Sequence, residues 1–501
     1  MRPLFSIAQL RSIEHAAAAM LPTGTLMQRA GAAAAQVAVS LLRVPITAAE
    51  ILVIAGPGNN GGDALVVAAC LATAGARVSI KHCADPAALP ADARQAWQHL
   101  AAIEASVKFI DQVPISDWSL VIDGLFGIGL TRPIEGALGE LIRTINQINC
   151  PRLALDVPSG LDADTGNVIG EHGYAFRATH TVTFIGDKPG LHTGAGRDYA
   201  GVVSVADLLI EPSLLGATPI HLSSEATFAN ATQARQHYSH KGSYGDVIVL
   251  GGADGMSGAV LLAARAALFA GSGRVFAAFM GTVPTHDALH PELMCRSVAD
   301  LAFGNAAIVI GPGLGTSPKS HACLMRVLKQ SNPLVIDADA LNLIAEHTDL
   351  QALVQRLPAL TLLTPHPLEA SRLLGCSTAA VQANRLGAAA RLAQRFQATI
   401  ILKGSGTIIA QPDGQIIINS NGNPALATAG SGDVLAGVCG ALAAQGWSLW
   451  HAAVGAVWLH GRAADALVEQ GYGPIGLTAG ELPAAIRRAL NALESSSRKA
   501  Y

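Results

Sequence analysis

Polar side chains that follow apolar segments in the first half of the chain point to acid–base or cation chemistry. Asp123 and Asp156 each lie at the end of a β-branched run, and Ser159 comes shortly after the second. Because ligands of open parallel sheets bind beyond the carboxyl ends of the strands, we expect these groups to share one crevice with Asn60. Asn60, Asp123 and Ser159 would give it the oxygen ligands of a hard-cation site. The competing interpretation is that the two Asp residues only cap turns.

Residues 56–62, with the sequence GPGNNGG, predict a loop between a strand and a helix that opens at Asp63. Gly and Asn tolerate left-handed conformations, so backbone N–H groups could converge there on an anion. An ordinary strand-to-helix turn capped by Asp63 is an equally good interpretation. The segment lacks the GxGxxG spacing and the Lys-Ser/Thr pair of a Walker loop, so an ordinary Rossmann hydride-transfer site fits poorly.

The second half brings a comparable set of polar loops. Small residues precede an apolar helix near Asp433, which predicts N–H groups facing a phosphate or oxyanion, with the carboxylate near a reacting hydroxyl. Taken alone, Asp433 would more simply be a partner of the helix dipole. Residues 403–407 (KGSGT) offer a cation and hydroxyls to a phosphate, or form a solvated turn. Further polar loops follow predicted strands at residues 311–315, 337–342 and 364–369, so we expect a convergent crevice.

These residues need two α/β systems to position them. Apolar runs alternate with alanine-rich helical stretches, which predicts parallel sheets covered on both faces. Predicted strands cover residues 51–55, 78–81, 120–123, 153–157, 181–185 and 202–205, then 246–250, 274–279, 306–310, 334–337, 360–364, 399–403, 407–410 and 415–419. Residues 412–414 predict a hairpin turn between the last two. The polar segment 211–245 shows no clear strand and places a boundary near 215–235, giving domains 1–220 and 226–501.

Composition excludes several classes of protein. The 501 residues are 50% apolar and 14% charged, which excludes disordered and fibrous chains. With 33 Lys and Arg against 36 Asp and Glu, we expect no nucleic-acid or membrane partner. Seven scattered cysteines without a CxxC pair predict neither a zinc site nor disulfides, and a cytoplasmic location. The uncharged stretch 434–459 is interpreted as two buried helices around Gly446, and the many apolar helices favour a homo-oligomer.

The motifs together resemble a known pair of enzymes. GPGNNGGD, IDGLFGIGLTRP and LDVPSGLDADTG are similar to the epimerase domain of NAD(P)H-hydrate repair proteins. GGADGMSGA, GPGLG, DADALN, TPHPLE, LKGSGT and NGNPALATAGSGDVLAG resemble the partner dehydratase, a member of the ribokinase-like superfamily. The resemblance spans nearly the whole chain and implies a Rossmann-like three-layer α/β domain followed by a ribokinase-like α/β domain. Leu368 departs from the TPHPGE form of the family and is expected to narrow the loop behind His366.

This resemblance implies repair of NADH or NADPH hydrated across the nicotinamide C5=C6 bond. The first domain would interconvert the R and S epimers at C6, and the second would dehydrate the S form with ADP, and Mg²⁺, bound. Asp156 would be the acid/base residue of the epimerase, and Asn60, Asp123 and Ser159 would hold K⁺. Hydrate contacts in the first domain would be Asn59, Asn60, Gly61, Gly62, Asp63, Gly127, Ile128, Gly129, Leu130, Thr131, Arg132, Pro133 and Asp156.

For the second domain, the resemblance implies that Asp433 assists proton movement, while the base at C5 stays unassigned. The hydrate site would be lined by Ala259, Gly313 or Gly315, His366 and Asp433, and the nucleotide phosphates held by Lys403, Gly404, Ser405, Gly406, Thr407 and Gly432. A small-molecule kinase, with Asp433 deprotonating a hydroxyl that attacks ATP, fits the second half nearly as well; the fused first half argues against it. A nucleotide-binding sensor without catalytic activity fits least, because the candidate acid/base residues Asp156 and Asp433 are both present.

Overall fold

The computed structural model describes residues 1–103, 107–232, 234–357 and 360–498. Contacts divide the chain into two compact units, Pro3–Ile220 and His221–Tyr501, with Met1–Arg2 grouped with the second. The division falls within two short strands, Arg2–Pro3 and Ile220–Leu222. The second of these strands lies in the segment predicted to contain none, so that prediction is wrong. Three residues are too few to show the alternation by which a strand is recognised.

The unit of residues 3–220 is built around a sheet of seven strands. The strands are β1 (Glu50–Ala55), β2 (Arg77–His82), β3 (Val107–Phe109), β4 (Leu120–Gly124), β5 (Arg152–Leu155), β6 (His180–Phe184) and β7 (Val202–Ala206). The helices are α1 (Ile7–Ala18), α2 (Thr25–Leu41), α3 (Asn59–Thr73), α4 (Ala91–Ala101), α5 (Gly136–Asn146) and the short α6 (Gly196–Tyr199). The strand β3 was not predicted, because it is short and largely exposed and therefore carries no apolar run.

The strand order of this sheet places a ligand crevice at a defined point. The order is β3-β2-β1-β4-β5-β6-β7, and all neighbouring pairs are parallel. The chain reverses its direction of winding between β1 and β4, and such switch points are where open α/β sheets bind ligands. The segments that leave β1 and β4 are the glycine-rich residues and the loop after Asp123.

Alternate residues of β1 build the two apolar layers around the sheet. Ile51 and Val53 pack into the core formed with α2, α3 and α4, whereas Leu52 and Ile54 pack into the core formed with α5. All four side chains are at most 1% exposed. A central strand buried on both faces reads as a continuous apolar run, which is why it was predictable from sequence.

The second unit contains a larger mixed sheet. The strands of this sheet that lie wholly within the unit are β8 (Asp246–Gly251), β9 (Arg274–Phe279), β10 (Met294–Ser297), β11 (Ala307–Ile310), β12 (Leu334–Ile336), β13 (Thr361–Leu363), β14 (Thr399–Leu402), β15 (Ile408–Ala410) and β16 (Ile416–Ile418). Its helices are α7 (Ser257–Phe269), α8 (Pro318–Val327), α9 (Ala338–Glu346), α10 (Thr348–Val354), α11 (Pro367–Leu374), α12 (Thr378–Ala383), α13 (Arg385–Phe396), α14 (Ser431–Ala444), α15 (Leu449–Glu469) and α16 (Leu482–Arg498). The strand β10 was not predicted.

These nine strands run in the order β16-β15-β14-β13-β12-β11-β8-β9-β10. The pairs β14–β15 and β15–β16 are antiparallel and the other pairs are parallel. The predicted hairpin therefore joins β15 and β16, and Gly414 turns it with φ +93°. The stretch 434–459 forms parts of α14 and α15 on either side of Gly446, as predicted. Within the described residues, the helices are too short or too polar to span a membrane.

Candidate active sites

A cavity of about 750 Å³ opens at the switch point of the first sheet. It is lined by the start of α3, by the loop after β4, and by residues that follow β5 and β6. Of the predicted contacts, those on the wall are Asn59, Asn60, Asp63, Gly127, Ile128, Gly129, Leu130, Thr131, Arg132 and Asp156. The structure thus brings most of the predicted residues together, whereas Gly61, Gly62 and Pro133 are not on the cavity wall.

The glycine-rich segment differs from its prediction. The helix α3 begins at Asn59 with Gly58 as its N-cap, so Asp63 lies inside the first turns and does not cap the helix. None of Gly56, Gly58, Gly61 and Gly62 has a positive φ. A β-carbon on Gly61 would lie 2.0 Å from the carbonyl oxygen of Gly56, and one on Gly56 would lie 1.7 Å from that of Leu125. Gly56 and Gly61 are therefore required by close packing of backbones, and not by left-handed conformations.

Asp123 and Ser159 form one hydrogen-bonded unit behind the cavity. Ser159 Oγ donates to Asp123 Oδ1 at 2.7 Å, and the Ser159 N–H donates to Oδ2 at 2.8 Å. The Phe126 N–H in turn donates to Ser159 Oγ at 2.8 Å. Asp123 is only 2% exposed, and burial raises its pKa to about 6 in spite of these hydrogen bonds. A buried carboxylate with a raised pKa is one that a neighbouring cation would stabilise.

Asn60 brings a buried side-chain amide to the vicinity of the Asp123–Ser159 pair. Its Nδ2 and Oδ1 atoms are both buried and find no hydrogen-bond partner among the described residues. A β-carbon on Gly127 would be 3.4 Å from Asn60 Cγ and 3.5 Å from Asp156 Oδ2, so the two side chains meet at Gly127. An unsatisfied buried amide costs free energy unless a ligand or ion pairs with it. The site therefore has an amide suited to an ion or a substrate.

Asp156 is held by a buried lysine that the sequence analysis did not single out. Lys188 Nζ donates to Asp156 Oδ1 at 2.8 Å, to Thr183 Oγ1 at 2.5 Å and to the Phe184 carbonyl at 3.2 Å. Lys188 is 1% exposed. Asp156 adopts φ +64°, a conformation that non-glycine residues rarely take. Lys188 thus fixes Oδ1 of Asp156, while Oδ2 lies near Gly127 on the cavity side.

Two further carboxyl groups line the same cavity. Burial, followed by the charges of Asp156 and Glu14, holds the pKa of Asp63 well above its usual range. Burial and then the charge of Asp156 also raise the pKa of Glu14, which lies in α1. Sequence reasoning missed Glu14 because it sits in an ordinary amphipathic helix far along the chain from the motifs. For Lys188 a signal existed, since the segment GDKPG follows a strand that ends at the same sheet edge.

In the second unit, an ion pair lies where three strands of the sheet end. Lys403 Nζ donates to Asp337 Oδ1 at 2.7 Å and lies 3.9 Å from Glu369 Oε2. Thr364 Oγ1 donates to the same Asp337 oxygen at 2.7 Å. Burial lowers the pKa of Lys403, but the charges of Asp337 and Glu369 outweigh it and the net effect is a rise. Lys403 is therefore a firmly charged ammonium held at the sheet edge.

Asp433 lies beside this ion pair in the first turn of α14. Gly430 is the N-cap of that helix with φ +87°, and a β-carbon on it would lie 3.8 Å from Asp433 Oδ2. A β-carbon on Gly432 would lie 3.3 Å from Lys403 Nζ. Burial, followed by the charge of Asp337, raises the pKa of Asp433 to about 7. A carboxyl group that titrates near neutrality, next to a helix N-terminus and an ammonium, suits proton transfer beside bound phosphate.

His366 and Glu369 close another side of this region. His366 caps α11, and its Nδ1 accepts from the N–H groups of Leu368 and Glu369 at 3.1 and 3.4 Å. The Glu369 carboxylate accepts from the His366 N–H at 2.7 Å. Burial raises the pKa of Glu369 to about 7, and burial together with Lys403 lowers that of His366. The Leu368 side chain that departs from the family motif is 44% exposed.

The remaining predicted residues lie in two loops that require glycine, apart from Ala259, which lies in α7. Gly313 and Gly315 have φ +59° and +71°, and a β-carbon on Gly313 would be 3.4 Å from that of Ala259. Gly404 and Gly406 have φ +135° and +59°, and Thr407 Oγ1 donates to the Gly404 carbonyl at 3.0 Å. A buried arginine missed by the sequence analysis supports this second loop, since Arg385 Nη2 donates to the Lys403 carbonyl at 3.3 Å.

Comparison with known proteins matches both halves. The family profile described as "YjeF-related protein N-terminus" matches residues 23–190, and the one described as "NAD(P)H-hydrate dehydratase" matches residues 247–488. The Bifunctional NAD(P)H-hydrate repair enzyme Nnr of Coxiella burnetii is 39% identical over 96% of this chain and 98% of its own length. That of Escherichia coli is 38% identical over 93% of this chain and 89% of its own length. The chain belongs to the bifunctional NAD(P)H-hydrate repair enzymes. The resemblance given by the motifs is thereby confirmed.

Membership of the bifunctional repair family also confirms the predicted fold class, a Rossmann-like three-layer unit followed by a ribokinase-like one. Among solved structures, the second half is similar to the ADP/ATP-dependent NAD(P)H-hydrate dehydratase from Bacillus subtilis, which was co-crystallised with ATP and Mg²⁺. The two are 30% identical with a TM-score of 0.47, and the match covers 55% of this chain and 100% of that one.

Proposed function

We propose that residues 1–220 interconvert the R and S hydrates of NADH and NADPH at C6, and that residues 226–501 dehydrate the S form with ADP. The observation that carries this proposal is that each half has a carboxylate beside a lysine at the carboxyl edge of its sheet: the buried pair Asp156 and Lys188, and the partly buried pair Asp433 and Lys403. Both halves match the repair family along nearly their full length, which favours repair over the small-molecule kinase considered above.

In the first unit, the proposed chemistry is proton exchange at the C6 hydroxyl. A C6 carbinolamine loses hydroxide when the ring nitrogen donates its electron pair, and the hydroxide leaves as water if it takes a proton from an acid. Asp156 Oδ2 lies beside Gly127 on the cavity side and, in its protonated form, would give that proton. When water adds again to either face of the ring, the same oxygen takes the proton back. Lys188 holds the other oxygen and so orients the carboxyl group.

The residues around Asn60 fit a potassium ion. Asn60 Oδ1 is buried and finds no hydrogen-bond partner in the part of the chain that the structure describes, and Asp123 and Ser159 bring a carboxylate and a hydroxyl to the same edge. One carboxylate and several neutral oxygens suit a weakly charged ion better than Mg²⁺, which demands tight octahedral geometry. When bound, K⁺ would supply positive charge near the phosphates of the hydrate. It would also stabilise Asp123 as a carboxylate.

In the second unit, the proposed role of ADP is to turn the hydroxyl into a better leaving group. Ionised Asp433 takes the proton of the C6 hydroxyl, whose oxygen attacks the terminal phosphorus of ADP, and AMP leaves. The C6–O bond then breaks to release phosphate as the ring nitrogen donates its electrons, and loss of a C5 proton completes the C5=C6 bond. Residues 403–407 and Gly432 would hold the phosphates, with Mg²⁺ as the usual counter-ion.

A pair of single substitutions tests this division of labour. Asp156→Asn is expected to stop epimerisation and leave dehydration of the S form intact, and Asp433→Asn is expected to do the reverse. Acid–base groups typically contribute about 10²–10⁴-fold, so each loss should be of that order. Chromatography of R and S hydrates, with AMP and phosphate measured against recovered NADH, reads both reactions in one sample. A stable phosphorylated product without NADH would favour the kinase, and normal dehydration by Asp433→Asn would refute the role of Asp433.

The setting of the enzyme is part of the same proposal. Seven free cysteines favour a reducing, cytoplasmic location, and the near-neutral charge favours small-molecule substrates over nucleic acid or membrane surfaces. Self-association to a homo-oligomer is proposed from the abundance of apolar helices and is checked by light scattering of the full chain.

A further inference from the structure

Two histidines and an aspartate come together on the second unit, in side chains that no proposed reaction step uses. His321 lies in α8, His347 is the residue between α9 and α10, and Asp349 lies in the first turn of α10. One ligand atom of each lies within 4.8 Å of the other two. Among the described residues, this is the one group of three or more His, Cys, Asp or Glu side chains arranged so closely.

The distances suit a small tetrahedral ion. Zn–N bonds are about 2.0–2.1 Å, which places neighbouring ligand atoms of a tetrahedron roughly 3.4 Å apart. His321 Nε2 and Asp349 Oδ2 are 3.4 Å apart and already match one edge. The rings of His321 and His347 meet edge to face with centroids 4.6 Å apart. Since the third atom lies within 4.8 Å, a small side-chain rotation completes the three ligands.

The donor set also selects the kind of metal. Two imidazole nitrogens and one carboxylate oxygen are ligands of zinc and its transition-metal neighbours, whereas Ca²⁺ and Mg²⁺ prefer oxygen alone. Both histidines are partly buried and Asp349 is exposed, so water can fill the fourth position. An ion pair between His321 and Asp349 would account for two of the residues. It would not account for the second imidazole beside them.

We infer that His321, His347 and Asp349 form a binding site for one divalent transition-metal ion, with zinc as the natural occupant. The ion would join α8 to the junction of α9 and α10. The helix α9 begins directly after Asp337, and Asp339 in its first turn accepts a hydrogen bond from the Gly315 N–H at 2.8 Å. Metal binding next to the C-terminus of α9 would therefore stabilise this helix, whose first turn carries Asp339. The ion would not contact the reacting groups.

Cobalt binding to the full chain tests the site, because tetrahedral Co²⁺ absorbs visible light while Zn²⁺ does not. After chelation and dialysis, Co²⁺ alone is titrated while absorbance and bound metal are measured. We expect one site whose signal Zn²⁺ displaces. Loss of a ligand should weaken binding by a factor of about 10 or more, in both His347→Ala and Asp349→Asn.

His286→Ala, which removes an exposed histidine elsewhere in the unit, is the matched control and should bind Co²⁺ normally. Circular dichroism checks that each variant is folded, which exposed and partly buried positions should permit. Absence of stoichiometric binding to the unmodified chain would overturn the inference. Binding that persists unchanged in both His347→Ala and Asp349→Asn would overturn it equally.

Discussion

Replacing Lys188 by Met tests whether the buried ion pair both stabilises the first unit and orients its carboxylate. The substitution preserves most of the side-chain length but leaves Asp156, whose side chain is 12% exposed, without its cation at 2.8 Å. Removing one partner of a buried pair typically costs 3–5 kcal/mol, because the remaining charge is uncompensated, so we expect a loss of about 3–5 kcal/mol in the free energy of unfolding. Epimerisation should fall with it, since Oδ1 loses its shortest hydrogen bond and keeps only the longer one from the Phe184 N–H at 3.2 Å and the Thr183 contact at 3.5 Å.

The double variant Lys188→Met/Asp156→Asn separates charge from packing. With both charges removed, the penalty of the lone carboxylate disappears, so the double variant should be more stable than Lys188→Met by at least about 1 kcal/mol. Lys81→Met is the matched control: Lys81 makes one exposed hydrogen bond, to the Asp111 carbonyl, and its loss should cost no more than about 0.5 kcal/mol.

Hydrogen exchange of the intact chain, read by mass spectrometry under increasing urea, is the suitable assay. Peptides from β1, β4 and α3 report on the first unit separately from peptides of the second. A loss of less than about 1 kcal/mol in Lys188→Met, or a double variant less stable than the single one, would refute this account of the pair.

Three further predictions concern the polar edges and the glycine packing. Because burial raises the pKa of Asp123 to about 6, K⁺ affinity should fall about tenfold per pH unit below pH 6 and level off above pH 7. Thermal unfolding at graded K⁺ concentrations measures this affinity. A K⁺ affinity that does not change between pH 5 and pH 8 would contradict the prediction. Dehydration should rise with pH through about 7 as Asp433 ionises, and Asp433→Glu should move that midpoint; a flat profile in the unmodified enzyme would exclude Asp433 as the base. Gly61→Ala should destabilise the first unit by about 1–3 kcal/mol in the same exchange assay, because its β-carbon would lie 2.0 Å from the Gly56 oxygen. Gly129→Ala places its β-carbon in open space and should not destabilise the unit. Equal effects of the two substitutions would contradict the packing argument.

The sequence predicted those parts of the molecule that depend on local pattern. Central strands such as β1 and β8 are apolar on both faces, and their runs are unmistakable. The weakly buried strands β3 and β10 carry no such run, and the three-residue strand Ile220–Leu222 is too short to show one. The segment after β1 was predicted as a loop because glycines usually mark turns.

The candidate sites show the same division between local and long-range information. Asp156 and Asp433 were found because each belongs to a compact motif at a strand or helix end. Glu14 and Arg385 lie far along the chain from the motifs, and only the folded arrangement shows their place in the sites. Lys188 follows a predicted strand, but its ion pair with Asp156 is likewise visible only in the fold. The buried amide of Asn60, which has no hydrogen-bond partner among the residues described, is of this kind as well, since a missing hydrogen bond has no sequence signature.

The left-handed backbone of Asp156 has a consequence for how this chain can change over evolutionary time. Glycine would relieve the conformational strain at φ +64°, which is of the order of 1–2 kcal/mol. Without Lys188, a single substitution of Asp156 by glycine would therefore increase stability and abolish activity. Lys188 removes that route, because losing the carboxylate would leave a buried ammonium without its counter-charge. A stable but inactive descendant then needs two coordinated substitutions. The ion pair therefore makes a single inactivating substitution at Asp156 destabilising. We expect relatives that lack one member of the pair to lack the other as well.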